Sequence, residues 1–188
     1  GDPAKVRTIY LGANTTFFSR ENNEVGRVDQ FLSYGPAFLP QHRDGLLSLL
    51  RNPRVRVVVL VARMSHEKQS LVFVNAVKQA WDDLPEDRRV DLAAIVIGGG
   101  VLLDSVQEEI ARLGATSYII AVGAQDAETT KRLLNVADIM MMTSQTEGTP
   151  LAIFEAMAMR LAIIAPRVGG VPEVVTPDVG ITVDNTDA

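Results

Sequence analysis

The chain has 188 residues, 47% hydrophobic and 22% charged, with a formal net charge of −5 and no cysteine. That is enough apolar material for one core with room for an arm, and the acidic balance argues against a broad nucleic-acid or anionic-membrane surface while leaving room for a small anion held by local cations. Disulfides and thiolate metal sites are excluded, and two histidines, His42 and His66, are too few for a histidine-built metal centre. The apolar run from Leu92 to Leu103 contains three glycines and is too short to span a bilayer. Residues 1–20 do not read as a secretory signal, so a cytoplasmic setting is expected and Asn14-Thr15-Thr16 is taken as a chance match to the glycosylation pattern.

In chain order, residues 1–20 read as one short strand followed by a turn at Gly12 to Asn14. Residues 21–43 show no period and contain the breakers Gly35-Pro36 and Pro40, so they read as loop. Asp44 is placed to cap a helix over Gly45–Arg51 with Leu46, Leu47, Leu49 and Leu50 on its apolar side, ended by Pro53. Val57–Ala62 is a continuous, mostly β-branched apolar run, which suits a strand buried on both faces. Gln69–Trp81 follows as a helix with Phe73, Val77 and Trp81 at helical spacing, then Val90–Ile97 as a second buried strand broken by Gly98-Gly99-Gly100. The alternation continues with a helix over Leu102–Leu113, a strand over Ser117–Val122 ending at Gly123, a helix over Ala127–Val136 and a strand over Ile139–Met142. A helix over Pro150–Met159, a strand over Leu161–Ala165, a helical turn over Pro172–Val175 and a strand over Gly180–Val183 complete the chain. Strands alternating with helices predict a Rossmann-like α/β/α layering around a parallel sheet of about six strands. The expected division is residues 1–56 as arm, loop and short helix and residues 57–188 as the Rossmann-like domain.

The polar residues fall in the loops that follow the strands: Arg63 to Lys68, the three glycines, Gly123, Ser144 to Gly148, and Arg167 to Gly170. In an open parallel sheet these loops share the carboxyl edge, where ligands bind. The most informative stretch is Thr143–Met159. Thr149 reads as an N-cap and Pro150 as the first helical residue. The helix they open is apolar except for Glu155, and a buried carboxylate needs either an arginine from the core or a ligand that donates to it. The first-turn amides of the same helix offer an anion seat, and Glu147 stands just ahead of them. Together these features predict a site for a phosphorylated polyol. Arg63 and Lys68 suit a diphosphate, whereas His66 and Glu67 read as solvated. The glycine run lacks the dinucleotide fingerprint, because Leu103 occupies the third glycine position, and it lacks the Gly-Lys-Ser/Thr of a P-loop. No Asp-x-Asp pair is present to hold a metal on a diphosphate, and no Gly-x-Ser-x-Gly marks a hydrolase. Met140-Met141-Met142 reads as core filling.

Taken together, these residues resemble the nucleotide-sugar-binding half of the family 4 (group 1) glycosyltransferases, whose GT-B fold sets two Rossmann-like domains face to face. The likeness rests on Arg63 and Lys68 in an Arg-x4-Lys loop, the glycines after the second and third strands, Ala137-Asp138-Ile139 to Ser144, Glu147-x7-Glu155 with Ala156-Met157-Ala158, and Gly169-Gly170-Val171-Pro172-Glu173. Val6 to Phe18 is similar to the arm joining the two domains. The resemblance implies that Arg63 and Lys68 neutralise the diphosphate of a UDP-, GDP- or ADP-sugar. It implies too that Glu147 holds hydroxyls of the donor sugar and that Glu155 accepts from the ribose hydroxyls. Gly98, Gly99, Gly123, Ser144, Gly148, Thr149, Pro150 and Leu151 complete the donor site on the same basis. A retaining transfer without metal or other cofactor is implied, as are an N-terminal Rossmann-like partner domain and membrane association only through a longer parent protein. The chain departs from the family pattern at Ala62, Gln69 and Arg160, where glycine is usual. A non-catalytic nucleotide-sugar-binding module and a sugar-nucleotide epimerase of related fold are the alternatives.

Overall fold

Val57-Val58-Val59-Leu60 has no polar face, and in the computed structural model, which describes residues 12–20, 28–29 and 43–184, it lies at the centre of a six-stranded sheet. The elements are α1 (Arg43–Leu50), β1 (Arg56–Val61), α2 (Ser70–Asp83), β2 (Leu92–Ile97), α3 (Leu103–Arg112), β3 (Ile119–Gly123), α4 (Ala127–Val136), β4 (Ile139–Met141), α5 (Leu151–Ala158), β5 (Ala162–Pro166), α6 (Val171–Val174) and β6 (Gly180–Val183). The strand order is β3-β2-β1-β4-β5-β6, and every pairing is parallel. The direction of winding therefore reverses between β1 and β4, the position at which an open α/β sheet forms its ligand crevice.

Alternation along each strand divides the core between the two faces. Val57, Val59, Ile95, Ile97, Met140 and Ile163 pack on one side with Leu133 and Leu134 of α4, Ile153 and Ala156 of α5, and Leu47 and Leu50 of α1. Val58, Leu60, Ala94, Val96 and Ile119 pack on the other with Phe73, Val74 and Val77 of α2 and Val106 and Ile110 of α3. Met140 and Met142 are buried and Met141 packs against the second cluster, so the methionine run is core. Phe18 also joins the first cluster, which ties the segment ahead of α1 to the domain.

Several boundaries differ from the sequence expectation. The early turn lies at Thr15–Phe17, because the Asn14 side chain accepts from the amides of Thr16 and Phe17, both at 3.1 Å. Helix α1 starts at Arg43, so Asp44 sits inside its first turn and is not its cap. The second strand begins at Leu92, not Val90, since Glu86–Asp91 forms 3₁₀ turns that leave Val90 exposed. The third begins at Ile119, after turns that bond Tyr118 and Ile119 back to Ala115. The fifth begins at Ala162, because the end of α5 closes through bonds from Arg160 N–H to Met157 O and from Leu161 N–H to Ala156 O, a Schellman pattern. The expected first strand, the irregular segment with His42, most of the arm-like segment and the side chain of Leu46 lie outside the described residues.

Two departures from the family pattern coincide with unusual backbone. Gln69 (φ 49°) and Arg160 (φ 60°) are the non-glycine residues with positive φ among those described. The left-handed conformation that makes glycine usual at both positions is thus kept while the side chain changes. Ala62 shows no such strain.

Candidate functional site

The loops that leave β1, β2, β3, β4 and β5 form a continuous band along the carboxyl edge, joined mainly by backbone. Gly98 N–H donates to Gly123 O (2.8 Å), Met64 N–H to Gly99 O (2.9 Å), Gln145 N–H to Glu67 O (2.8 Å) and Gly170 N–H to Gly148 O (2.9 Å). Thr143 adds a side-chain clasp, its hydroxyl lying 3.1 Å from Lys68 O and 3.0 Å from Gln69 O. The approach is close enough to dictate glycine. A Cβ on Gly98 would lie 1.8 Å from Ala62 O, and one on Gly169 would lie 1.7 Å from Glu147 O. Glycines in these loops therefore let one strand-end loop settle on the next.

Two predicted residues from separate loops meet at the switch between β1 and β4. Lys68 Nζ donates to Glu147 Oε1 at 2.6 Å across 79 residues of sequence, with the side chains 22% and 7% exposed. Lys68 is placed by the 3₁₀ turn His66–Lys68, and the left-handed Gln69 that ends this turn also serves as the N-cap of α2. Glu147 is backed by Gly169.

Arg63 does not join that pair. It is 72% exposed and forms an ion pair with Glu67 at 3.1 Å. It lines a separate open hollow of about 350 Å³ with Gly98, Gly99, Ala124 and Gln125 at the ends of β1, β2 and β3. Glu67, read from the sequence as solvated, thus has two tasks: its backbone carbonyl tethers the β4 loop, and its carboxylate compensates Arg63. Backbone hydrogen bonding first, and the Ser65 hydroxyl second, hold its carboxyl below the usual range. His66 is exposed, as expected. Gln125, which the sequence reading passed over, donates from Nε2 to Val122 O at 2.6 Å. A glutamine directly after a strand-ending Gly-Ala is the signal that could have found it.

The helix expected to begin with Pro150 is α5. It starts one residue later, with Pro150 itself in the N-cap position (φ −72°, ψ 120°) and no side-chain cap, so Thr149 is not the cap. Proline in extended conformation ends the loop and sets the entry of the chain, a task its fixed φ suits. The amides of Leu151 and Ala152 then open the helix toward the loop side, while Ile153 N–H bonds back to Pro150 O at 3.1 Å. Glu155 lies one turn in. It is half-buried and has no ion-pair partner among the described residues, and this burial pushes its carboxyl pKa up. Ser144 is buried at the start of the loop, and Gly148 and Leu151 are exposed at its tip. Among the described residues there is no group of three or more His, Asp or Glu side chains arranged to hold a metal ion, and no helix is long and apolar enough to cross a membrane.

The arrangement therefore offers a crevice floor made of backbone, two cations each balanced by its own carboxylate, a helix start, and Glu155, a carboxylate without an ion-pair partner among the described residues. Residues 48–188 match the family described as Glycosyl transferases group 1. The chain is 30% identical over 141 residues to the GDP-mannose-dependent alpha-(1-6)-phosphatidylinositol monomannoside mannosyltransferase of Mycolicibacterium smegmatis, covering 70% of this chain and 35% of that protein. It is 33% identical over 143 residues to the amylovoran biosynthesis glycosyltransferase AmsK of Erwinia amylovora, covering 73% and 32%. The chain thus spans about a third of the length of these relatives. Among solved structures, it superposes on Anabaena HepE in complex with UDP with a TM-score of 0.70 at 20% identity, covering 95% of this chain and 43% of that one. The C-terminal domain of the group 1 glycosyl transferase LpcC from Francisella tularensis gives a TM-score of 0.68 at 24% identity, covering 92% and 80%.

Proposed function

Because this chain belongs to the group 1 glycosyl transferases, we propose that it is the donor-binding domain of a retaining, metal-independent enzyme that transfers a hexose from a nucleoside-diphosphate sugar to a glycan, lipid or other acceptor. The observation that carries the reading is the Lys68–Glu147 contact, which brings a cation and a carboxylate from loops far apart in sequence to the switch point of the sheet. In this reading the diphosphate lies over the glycine band, where Gly98, Gly99 and Gly123 let backbone come close. Arg63 and Lys68 turn from their carboxylates to the phosphate oxygens. Bond breaking at the sugar carbon leaves negative charge on the leaving phosphate. That charge is met by the two cations and by the first-turn amides of α5 beside Gly148, Thr149, Pro150 and Leu151. Glu147, released from Lys68, accepts hydroxyl protons of the donor sugar and positions its anomeric carbon. Glu155 accepts from two ribose hydroxyls, which gives a half-buried carboxylate with no ion-pair partner among the described residues a set of donors. Ser144 supports the loop from within.

The relatives differ in nucleotide: the mycobacterial one is GDP-mannose-dependent, and the Anabaena structure holds UDP. A second Rossmann-like domain in a longer parent protein, set in the cytoplasm and reaching a membrane only through that domain, would present the acceptor. Calorimetric titration of the folded chain with UDP, GDP and ADP tests the proposal. Saturable binding of at least one is expected, and Glu155→Ala should weaken it by about 1–3 kcal/mol, the scale of hydrogen bonds to a charged group. No binding at millimolar nucleotide, or unchanged affinity in that variant, would overturn the assignment.

A further inference from the structure

The amino edge of the sheet carries its own cluster of charge. Arg54 precedes β1, Arg56 opens it, and Arg88 and Asp91 lie in the 3₁₀ turns ahead of β2. Parallel register sets Arg56 beside Leu92, the first residue of β2. With the end of α2 these segments line an open cavity of about 550 Å³, with Leu84 and Leu92 among its apolar lining and Arg54, Arg56, Arg88 and Asp91 among its charged lining. Strand β1 has six residues, so this cavity stands about 20 Å from the carboxyl-edge loops.

Its charges are unequal. Asp91, 6% exposed, takes Arg88 Nε at 2.5 Å, Arg54 Nε at 3.2 Å and Asn52 Nδ2 at 2.9 Å. Both arginines meet it through Nε, and each guanidinium carries two further NH₂ groups. Arg56 Nη1 lies 3.9 Å from Asp138 Oδ1, while Asp138 Oδ2 accepts from Val57 N–H at 2.9 Å. Three guanidiniums and one carboxylate, Asp91, thus line a concave, partly apolar space, with Asp138 3.9 Å from Arg56 and Asp87 near Arg88 at its margin, on a chain whose formal net charge is −5. Low-dielectric walls concentrate such a field, and guanidinium forks match phosphate oxygens.

We propose that this amino-edge cavity binds a phosphate monoester bearing an aliphatic chain, the phosphate on Arg54, Arg56 and Arg88 and the chain against Leu84 and Leu92. Asp91 acts here as an orienting group, setting two guanidiniums side by side. The site is independent of the donor crevice and stands whether or not the donor reading holds.

The test follows the arginine Nε–Hε resonances of the 188-residue chain by nitrogen-15 NMR during titration with octyl phosphate and, separately, with inorganic phosphate. Saturable shifts at Arg54, Arg56 and Arg88 are expected. Octyl phosphate should bind at least about ten-fold more tightly than inorganic phosphate, since several methylenes leave water. Arg56→Gln should weaken octyl phosphate about ten-fold, and Leu84→Ala should weaken octyl phosphate without changing inorganic phosphate. Unsaturating shifts overturn the proposal. So does equal affinity for the two phosphates, and so does a response centred on Arg63 and lost in Lys68→Ala, which would place the ligand in the other crevice. Sedimentation with phosphatidylcholine vesicles with and without phosphatidic acid distinguishes the source. Pelleting only with phosphatidic acid supports a lipid headgroup as the ligand, and octyl phosphate binding without pelleting supports a soluble one.

Discussion

At the carboxyl edge each cation has a carboxylate of its own, Arg63 with Glu67 and Lys68 with Glu147. At the amino edge Arg54 and Arg88 share Asp91, and Arg56 reaches Asp138 only at 3.9 Å. The supports differ too. Backbone hydrogen bonds and glycines hold the carboxyl-edge loops, so side chains there can exchange partners without unfolding the loop. At the amino edge side chains on Asp91 join the loop before β1 to the turn before β2, so the charges themselves are structural. The carboxyl edge is thus stitched by backbone, whereas at the amino edge Asp91 and its partners also join two segments of chain.

The two edges also respond oppositely to acid. Hydrogen bonding from Arg88, with help from Asn52 and Arg54, holds the Asp91 carboxyl below its ordinary value of 3.8. Its contribution to stability is present above that value and is lost as pH falls through its folded pKa. Burial raises the Glu155 carboxyl above its ordinary value of 4.5. Its contribution is present below that value and is lost as pH rises through the folded pKa, where an unpaired charge appears.

Four changes would break or sharpen this contrast. The largest effect is expected from Gly169→Ala. Its Cβ would strike Glu147 O, and its φ of 51° is left-handed, so the loop must move. A loss of about 3 kcal/mol or more in urea unfolding, with loss of nucleotide binding, is expected. If stability and binding survive, the backbone band is not what holds the crevice. Asp91→Ala comes next: the melting temperature should fall by several degrees while nucleotide affinity stays as it was. A matching loss of affinity would mean the edges are coupled. Glu155→Gln should stabilise the unliganded chain by less than about 1 kcal/mol at neutral pH, because solvent still screens the carboxylate. That gain should disappear below about pH 4, where wild-type Glu155 is protonated. The smallest change is Gln69→Gly, with a gain of about 0.5 kcal/mol in thermal unfolding as left-handed strain is relieved against the added freedom of the unfolded chain.

Much of the carboxyl edge was legible in the sequence. The apolar, β-branched run from Val57 suits a strand buried on both faces and forms one, and helix α4 spans the residues that its pattern indicated. Lys68 and Glu147 stand out in the sequence by their place in loops after buried strands, and the structure sets them in contact. Less legible was the work of Glu67, because its backbone carbonyl, invisible to pattern reading, is what tethers Gln145. The amino-edge cluster was missed altogether. Arg54, Arg56, Arg88 and Asp91 have no common spacing, and only the parallel register of β1 on β2 makes them neighbours.

By itself the order of residues determined the alternation of strand and helix, the edge of the sheet at which the loops with Arg63 and Glu147 and the start of the helix with Glu155 would emerge, and where the backbone needs glycine-like freedom. Those properties depend on near neighbours in the chain. Which carboxylate meets which cation was decided only by the tertiary structure. Lys68 and Glu147 are 79 residues apart. A Coulomb contact depends on separation in space, so its partners are chosen only when β1 and β4 come to lie side by side.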